Sequence, residues 1–217
     1  VKVVCDVDRI EHCKDGVHED RFVHADARAF LEALCRLGLG RAPGEWLLKC
    51  RHWKEIFAYQ SENNSGGLMD MKQFMIELSK RAPAGTWYVS DAGFTGACAP
   101  ACTMLRDDER FIMALSQGEM GFALPGGCGA CTLAPGAVVS YSGDGSVMMN
   151  LQELQTVVRN GFNLKIVIVN NNGYSGVRHG QKAHFRGKTM GTDPSCGLDF
   201  PDFGKVAAAF GIPYERA

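Results

Sequence analysis

Val138-Val-Ser-Tyr-Ser-Gly-Asp-Gly-Ser146, then a helical run, then Lys165-Ile-Val-Ile-Val-Asn-Asn-Asn-Gly-Tyr174 is the stretch on which the fold is decided. Its two ends, residues 137–142 and 164–170, are apolar, β-branched runs of strand length. Continuous apolar runs of this kind suit strands covered on both faces, as in a parallel sheet. Between them Val147, Leu151, Leu154 and Val158 recur at helical spacing, which predicts an amphipathic helix joining the strands. Ser146 stands where an N-cap belongs, and Asn160-Gly161 supplies a left-handed stop. The unit reads as βαβ with a right-handed crossover.

That topology places the carboxyl ends of both strands at one edge of the sheet, where open α/β folds bind ligands. Asp144 follows the first strand and Asn171 the second, so the two face one crevice. Gly143, Gly145 and Ser146 offer backbone N–H groups at the start of the helix, an arrangement that suits a phosphate. One carboxylate, one side-chain amide oxygen and one backbone carbonyl make a small set of hard oxygen ligands. Mg²⁺ is held by such a set when phosphate oxygens complete its octahedron. The residues alone point to a Mg²⁺–diphosphate site.

Gly143-Asp-Gly145 followed at this distance by Asn-Asn resembles the cofactor signature of thiamine diphosphate enzymes, nearest to the acetohydroxyacid synthase and pyruvate decarboxylase group. Gly118-Glu-Met-Gly-Phe-Ala-Leu-Pro125 resembles the Gly-x-Met-Gly-x-x-Leu-Pro loop of the same family. A strand over 86–90 ending Asp91-Ala-Gly93 matches the strand that opens its cofactor domain. The resemblance implies that Gly93 and Thr95 reach the diphosphate, although the synthase branch has Gln-His where this chain has Phe94-Thr95. It implies that the Gly118 carbonyl accepts from the cofactor's 4′-amino group and that Met120 wedges the cofactor into a V. It implies further that Asp144, Asn171 and the Gly173 carbonyl hold Mg²⁺. Gly145 and Ser146 then donate N–H groups to phosphate, with Gly143 and Tyr174 completing the cofactor site.

The activity so implied is Mg²⁺- and thiamine-diphosphate-dependent decarboxylation of a 2-keto acid, pyruvate first, with transfer of the two-carbon unit to a carbonyl acceptor. A simple decarboxylase or lyase, and a non-catalytic binding module of the same fold, are the alternatives. The family activates its cofactor with a glutamate from an N-terminal pyrimidine domain, usually on a neighbouring subunit. No segment here resembles that domain, so no catalytic residue is assigned within this chain. The chain is expected to be inactive alone and to work as part of a homodimer or homotetramer. After Tyr174 the synthase branch has a Met-Val-x-Gln-Trp run, which this sequence lacks. Arg178, His179, Gln181 and His184 stand there as loop residues within possible reach of substrate.

The fold class expected is α/β, a doubly wound parallel sheet preceded by the tail of a Rossmann-like central domain. Residues 1–40 read as that tail, 41–67 as a linker, and 68–217 as a C-terminally incomplete cofactor domain. In some relatives the central domain holds FAD or a nucleotide; here only its last unit is present. A strand over 1–7 ends in Asp6 and Asp8, read as a solvated strand end, and Asp26 caps a helix over 26–37. Starting on a strand without Met suggests a chain that begins mid-protein. A helical piece over 45–59 carries Trp46 and Trp53 on one face as packing anchors. Helices are predicted over 70–81, capped by Asp70, and within 198–210.

Among 217 residues, 46% are hydrophobic and 22% charged, and the net charge is −1, which suits a globular protein with no nucleic-acid or membrane partner. Nine cysteines are odd in number and scattered, and Cys128-Gly-Ala-Cys131 has no second pair to complete a zinc site. Buried, reduced thiols and a cytoplasmic setting are expected.

Overall fold

The computed structural model describes residues 1–16, 18–56 and 69–216. The chain separates into two compact units, Val1–Ala58 and Tyr59–Ala217. In the first, β1 (Val3–Asp6) pairs in parallel with β2 (Arg21–His24), Val3 opposite Arg21 and Asp6 opposite His24. The second strand is absent from the sequence reading, because Arg-Phe-Val-His is too short and too polar to show a period. Asp6 and Asp8 bend the strand end, their side chains accepting the N–H groups of Asp8 and Ile10, each at 2.8 Å. Helix α1 (Ala27–Arg36) is capped as expected, the Asp26 carboxylate accepting from the N–H groups of Arg28 and Ala29. Helix α2 (Gly44–Ile56) carries the two tryptophans, and the predicted extension to 59 lies outside the described residues. Their rings meet edge to face at 5.8 Å, with Trp46 51% and Trp53 39% exposed, so they pack on each other at the surface and not into a core.

The second unit opens with α3 (Met71–Arg81), whose start Asp70 caps by accepting the Gln73 N–H. Four parallel strands follow: β3 (Trp87–Ser90), β4 (Arg110–Met113), β5 (Val138–Gly143) and β6 (Leu164–Val169). Their order across the sheet is β4-β3-β5-β6, with Trp87 opposite both Arg110 and Val138, and Val138 opposite Leu164. Successive side chains of a strand point to opposite faces, and two cores result. Val89, Val138 and Leu164 pack with α5 (Ala123–Cys131) and α7 (Glu153–Asn160) on one face. Tyr88, Val139 and Tyr141 pack with α3 and α4 (Gly93–Cys102) on the other. The sheet is doubly wound, as the sequence reading has it. Central β5 is buried along nearly its whole length, whereas β6 is only half covered. The outer place in the sheet accounts for the difference. Helix α4 is not predicted from sequence, since its small residues and internal Pro100 leave no polar face to read.

The β5–β6 connection differs from expectation in one respect. Ser146 is not an N-cap: α6 (Asp144–Val147) already begins at Asp144, with Gly143 extended ahead of it. A 3-10 turn at Met148–Asn150 then interrupts the run before α7. Three residues per turn instead of 3.6 advances the phase. Val157 therefore joins Leu154 in the core while Val158 is exposed. The left-handed stop at Gly161 is present, at φ 60°. All nine cysteines are free, and burial pushes the Cys128 thiol up to about 11. Among the described residues no helix is long and apolar enough to cross a membrane.

The strand order sets the site. From β3 the chain crosses one way to β4, and from β5 it crosses the other way to β6. The two connections part between the carboxyl ends of β3 and β5, and at such a switch point a crevice opens.

Candidate cofactor site

A cleft open to solvent lies at those carboxyl ends. The end of β3 contributes Ala92, Gly93, Phe94 and Thr95. Met120 enters from the segment before α5, 38% exposed, with open space beside it. The end of β5 supplies Gly143, Asp144, Gly145 and Ser146, and the end of β6 supplies Asn171, Gly173 and Tyr174. Each residue assigned from sequence therefore lines one cleft, except Gly118. That glycine sits at φ 68° in the turn after β4, its N–H donating to the Ala114 carbonyl at 2.8 Å, outside the lining. Thr95 is buried and its hydroxyl donates to the Ala92 carbonyl at 2.8 Å, so that proton is already committed.

Asp144 is the one carboxylate among the described lining residues, and it is 2% exposed. Oδ1 accepts the Gly145 N–H at 2.7 Å and Oδ2 accepts the Gly173 N–H at 3.0 Å. The second contact ties the turn after β5 to the turn after β6. Burial pushes the Asp144 pKa up, against the pull of those N–H groups. Folding thus favours its neutral form, a contribution present below the ordinary carboxylate pKa and lost as pH rises through the raised value. Cofactor- and metal-free protein is expected to lose melting temperature from about pH 4 toward neutrality more steeply than its Asp144→Asn variant, as calorimetry would read.

Residues 91–217 match the family described as "Thiamine pyrophosphate enzyme, C-terminal TPP binding domain". The chain belongs to the thiamine pyrophosphate enzymes. It is 34% identical over 169 residues to the acetolactate synthase isozyme 2 large subunit of Escherichia coli, covering 77% of this chain and 30% of that protein. The acetolactate synthase large subunits of Porphyra purpurea and Pyropia yezoensis are 37% and 36% identical over 168 residues, each covering 77% of this chain and 28% of the relative. The chain thus spans about a third or less of the length of these relatives.

Within this thiamine pyrophosphate enzyme domain, two glycines of the cleft stand where no side chain fits. A Cβ on Gly145 would lie 2.0 Å from Cε1 of Tyr174, and one on Gly173 would lie 2.0 Å from the Thr192 carbonyl oxygen. Both turns are drawn tight around Asp144, which accepts the N–H groups of both glycines, while the Gly173 carbonyl accepts the Ser175 N–H at 3.0 Å and keeps a second lone pair. Each Asp144 oxygen keeps a lone pair beyond its N–H contact, so the carboxylate can also face a cation. Among the described residues no group of three His, Cys, Asp or Glu side chains gathers. The donors at hand are of the mixed kind that Mg²⁺ takes beside phosphate. Gly145→Ala is expected to displace the Tyr174 ring and weaken cofactor binding about tenfold, the scale of a supporting contact around a metal site. Tyr174→Ala in the same chain should restore at least part of it, read by calorimetric titration of both variants.

The four residues after Tyr174 are not loop residues, and none lines the cleft: Arg178, His179, Gln181 and His184 all lie in α8 (Ser175–His184). Arg178 pairs with Asp193 at 3.2 Å, and Gln181 clamps Met190 by donating to its carbonyl at 3.2 Å and accepting its N–H at 2.8 Å. Their polar groups hold the segment after α8 in place. Met71, Phe94 and Val177 line the cleft without having been assigned from sequence. Met71 and Val177 are exposed or half-buried apolar residues with no motif around them, Phe94 departs from the motif it stands in, and only the tertiary structure brings the three together. Thr192, 1% exposed, is likewise missed, and its carbonyl accepts the Tyr174 N–H at 2.9 Å.

Proposed function

We propose that this chain is the cofactor-binding part of a Mg²⁺- and thiamine-diphosphate-dependent carboligase. Its reaction is decarboxylation of a 2-keto acid, pyruvate first, with transfer of the two-carbon unit to a carbonyl acceptor. The observation that carries the reading is the buried Asp144 carboxylate, sharing one cleft with Asn171, Gly173 and Met120 at the sheet's switch point. Acetolactate synthase relatives on both sides of the bacterial–algal divide support the choice of a carboligase. Residues 1–40 then belong to a central domain, 41–67 to a linker and 68–217 to the cofactor domain. A neighbouring subunit completes the site in a homodimer or homotetramer. The cytoplasm, where nine free thiols stay reduced, is its compartment.

When bound, thiamine diphosphate supplies a nucleophilic carbon and an electron sink for loss of CO₂ from the 2-keto acid. The chain's own residues bind and orient. Asp144, the Asn171 amide oxygen and the Gly173 carbonyl would hold Mg²⁺, and Ser146 would turn its backbone N–H to phosphate, whereas the Gly145 N–H is already taken by Asp144 Oδ1 at 2.7 Å, against its sequence assignment. Gly93, Gly143 and Tyr174 would shape the seat, and Met120 would pack against the cofactor. Thr95 supports the turn after β3 and not the phosphate directly. These residues would contribute to rate by fixing the bound cofactor in one orientation. Product analysis of the complete protein with pyruvate tests the reading. Acetolactate or acetoin is expected; acetaldehyde alone would replace the carboligase by a decarboxylase.

A further inference from the structure

Three turns must keep fixed places for the cleft to exist: the one after β3, the segment 118–122 before α5, and the one after β5. They are far apart in sequence, and one side chain reaches all three. Asp91, 1% exposed, follows β3 directly. Its Oδ1 accepts the Ala123 N–H at the start of α5 at 2.8 Å, and its Oδ2 accepts the Ser142 hydroxyl just before Gly143-Asp144. Burial pushes its carboxyl up from the ordinary range, against the pull of the Ser142 hydroxyl and the N–H groups of Ala123, Phe122 and Gly121. Its main chain is held as well, the N–H donating to the Tyr141 carbonyl at 2.9 Å.

Core packing alone does not call for a carboxylate here, since burying one is unfavourable unless donors surround it. The donors present come from two of the cleft's walls. The two oxygens of Asp91 engage both at once and so draw them toward one point, and the start of α5 offsets part of the cost of burying the group. We propose that Asp91 is the positioning residue of the cofactor cleft, binding the Met120 segment to the end of β5 so that Met120 and Asp144 keep one separation. The inference rests on reading the cleft as a thiamine diphosphate site. Asp91 touches no cofactor atom itself and acts through Ala123 and Ser142.

The test compares Asp91→Ala, Asp91→Asn and Ser142→Ala in the complete protein with Val157→Ala, a core variant away from the cleft. Amide hydrogen exchange is followed without cofactor, and thiamine diphosphate affinity is titrated with Mg²⁺. Asp91→Ala is expected to speed exchange over 118–123 and to weaken affinity, each about 10- to 100-fold, as loss of a supporting hydrogen bond to a metal site does. Asn can still accept from Ala123 and can donate to Ser142, so Asp91→Asn should stay within about threefold of the wild type. Ser142→Ala should fall between them, and it carries the test if Asp91→Ala does not fold. Val157→Ala should lower the melting temperature while leaving both readouts near wild type. Equal exchange over 118–123 and equal affinity in Asp91→Ala and Val157→Ala would overturn the proposal, as would an Asp91→Asn as impaired as Asp91→Ala. A wild-type protein that binds no thiamine diphosphate would remove the proposed function, leaving exchange alone to decide whether Asp91 positions the segment.

Discussion

Asp144→Ala is expected to remove Mg²⁺-dependent binding of thiamine diphosphate, weakening it by about 100-fold or more, the scale found when one partner of a buried charge contact is truncated. The reason is positional as well as electrostatic. Asp144 brings the cleft's one described carboxylate to the end of β5, and its Oδ2 also holds the Gly173 N–H of the β6 turn. Alanine takes away the anionic ligand and releases the second turn together. It also leaves the N–H groups of Gly145 and Gly173 without their acceptor, at about 1–3 kcal/mol each where water cannot reach them. Relief from burying a carboxylate offsets part of that loss, since burial already raises this pKa. Asp144→Asn separates the two effects: one oxygen still accepts an N–H, so melting falls less, yet the charge is gone and binding falls nearly as far. Calorimetric titration with and without Mg²⁺, beside thermal melting of both variants, reads the difference. Binding of the Asp144→Ala protein within about threefold of wild type would show that no charge-dependent metal contact is made there.

Gly173→Ala is expected to be the most damaging single methyl addition in the cleft. Gly173 sits at φ 150°, a conformation that side-chain-bearing residues rarely adopt and that alone costs about 1–3 kcal/mol. The new Cβ would also meet the Thr192 carbonyl oxygen at 2.0 Å, and that atom is backbone. Thr192 cannot move away freely, because its carbonyl accepts the Tyr174 N–H and its own N–H donates to the Cys196 sulfur at 3.3 Å. The turn after β6 must shift instead, taking the Gly173 N–H from Asp144 and Asn171 from the cleft. At about 2–4 °C per kcal/mol for a domain of this size, melting should fall by several degrees and metal-dependent binding should be lost. Gly145→Ala differs because the clash is with a side chain that can turn away. A Gly173→Ala protein that melts and binds like wild type would mean that the turn is not held as described.

Much of this arrangement is legible in the sequence, for reasons that differ by element. β5 and β6 show as apolar runs because both hydrogen-bond into a parallel sheet, with Asp144 directly after β5 and Asn171 two residues past the end of β6. The caps Asp26 and Asp70 are legible because a single local hydrogen bond defines them. What escapes depends on contacts between distant segments. The 3-10 turn at Met148–Asn150, which swaps Val158 for Val157 in the core, leaves no mark in a pattern already close to helical. Helix α4 has two buried cysteines and alanine at places where a stripe would need a polar partner face. Asp91 looks like any turn aspartate until α5 and Ser142 are folded against it. Arg178 and Gln181 have the chemistry of substrate contacts, and only the positions of Asp193 and Met190 show that they are engaged elsewhere.

The decisive measurement is a calorimetric titration of the complete wild-type protein with thiamine diphosphate, once with Mg²⁺ present and once after chelation. Saturable binding that requires the metal is expected, because on the proposed reading Asp144, Asn171 and the Gly173 carbonyl would reach the diphosphate through a shared cation. Binding that is indifferent to chelation, or no binding in either condition, would contradict it.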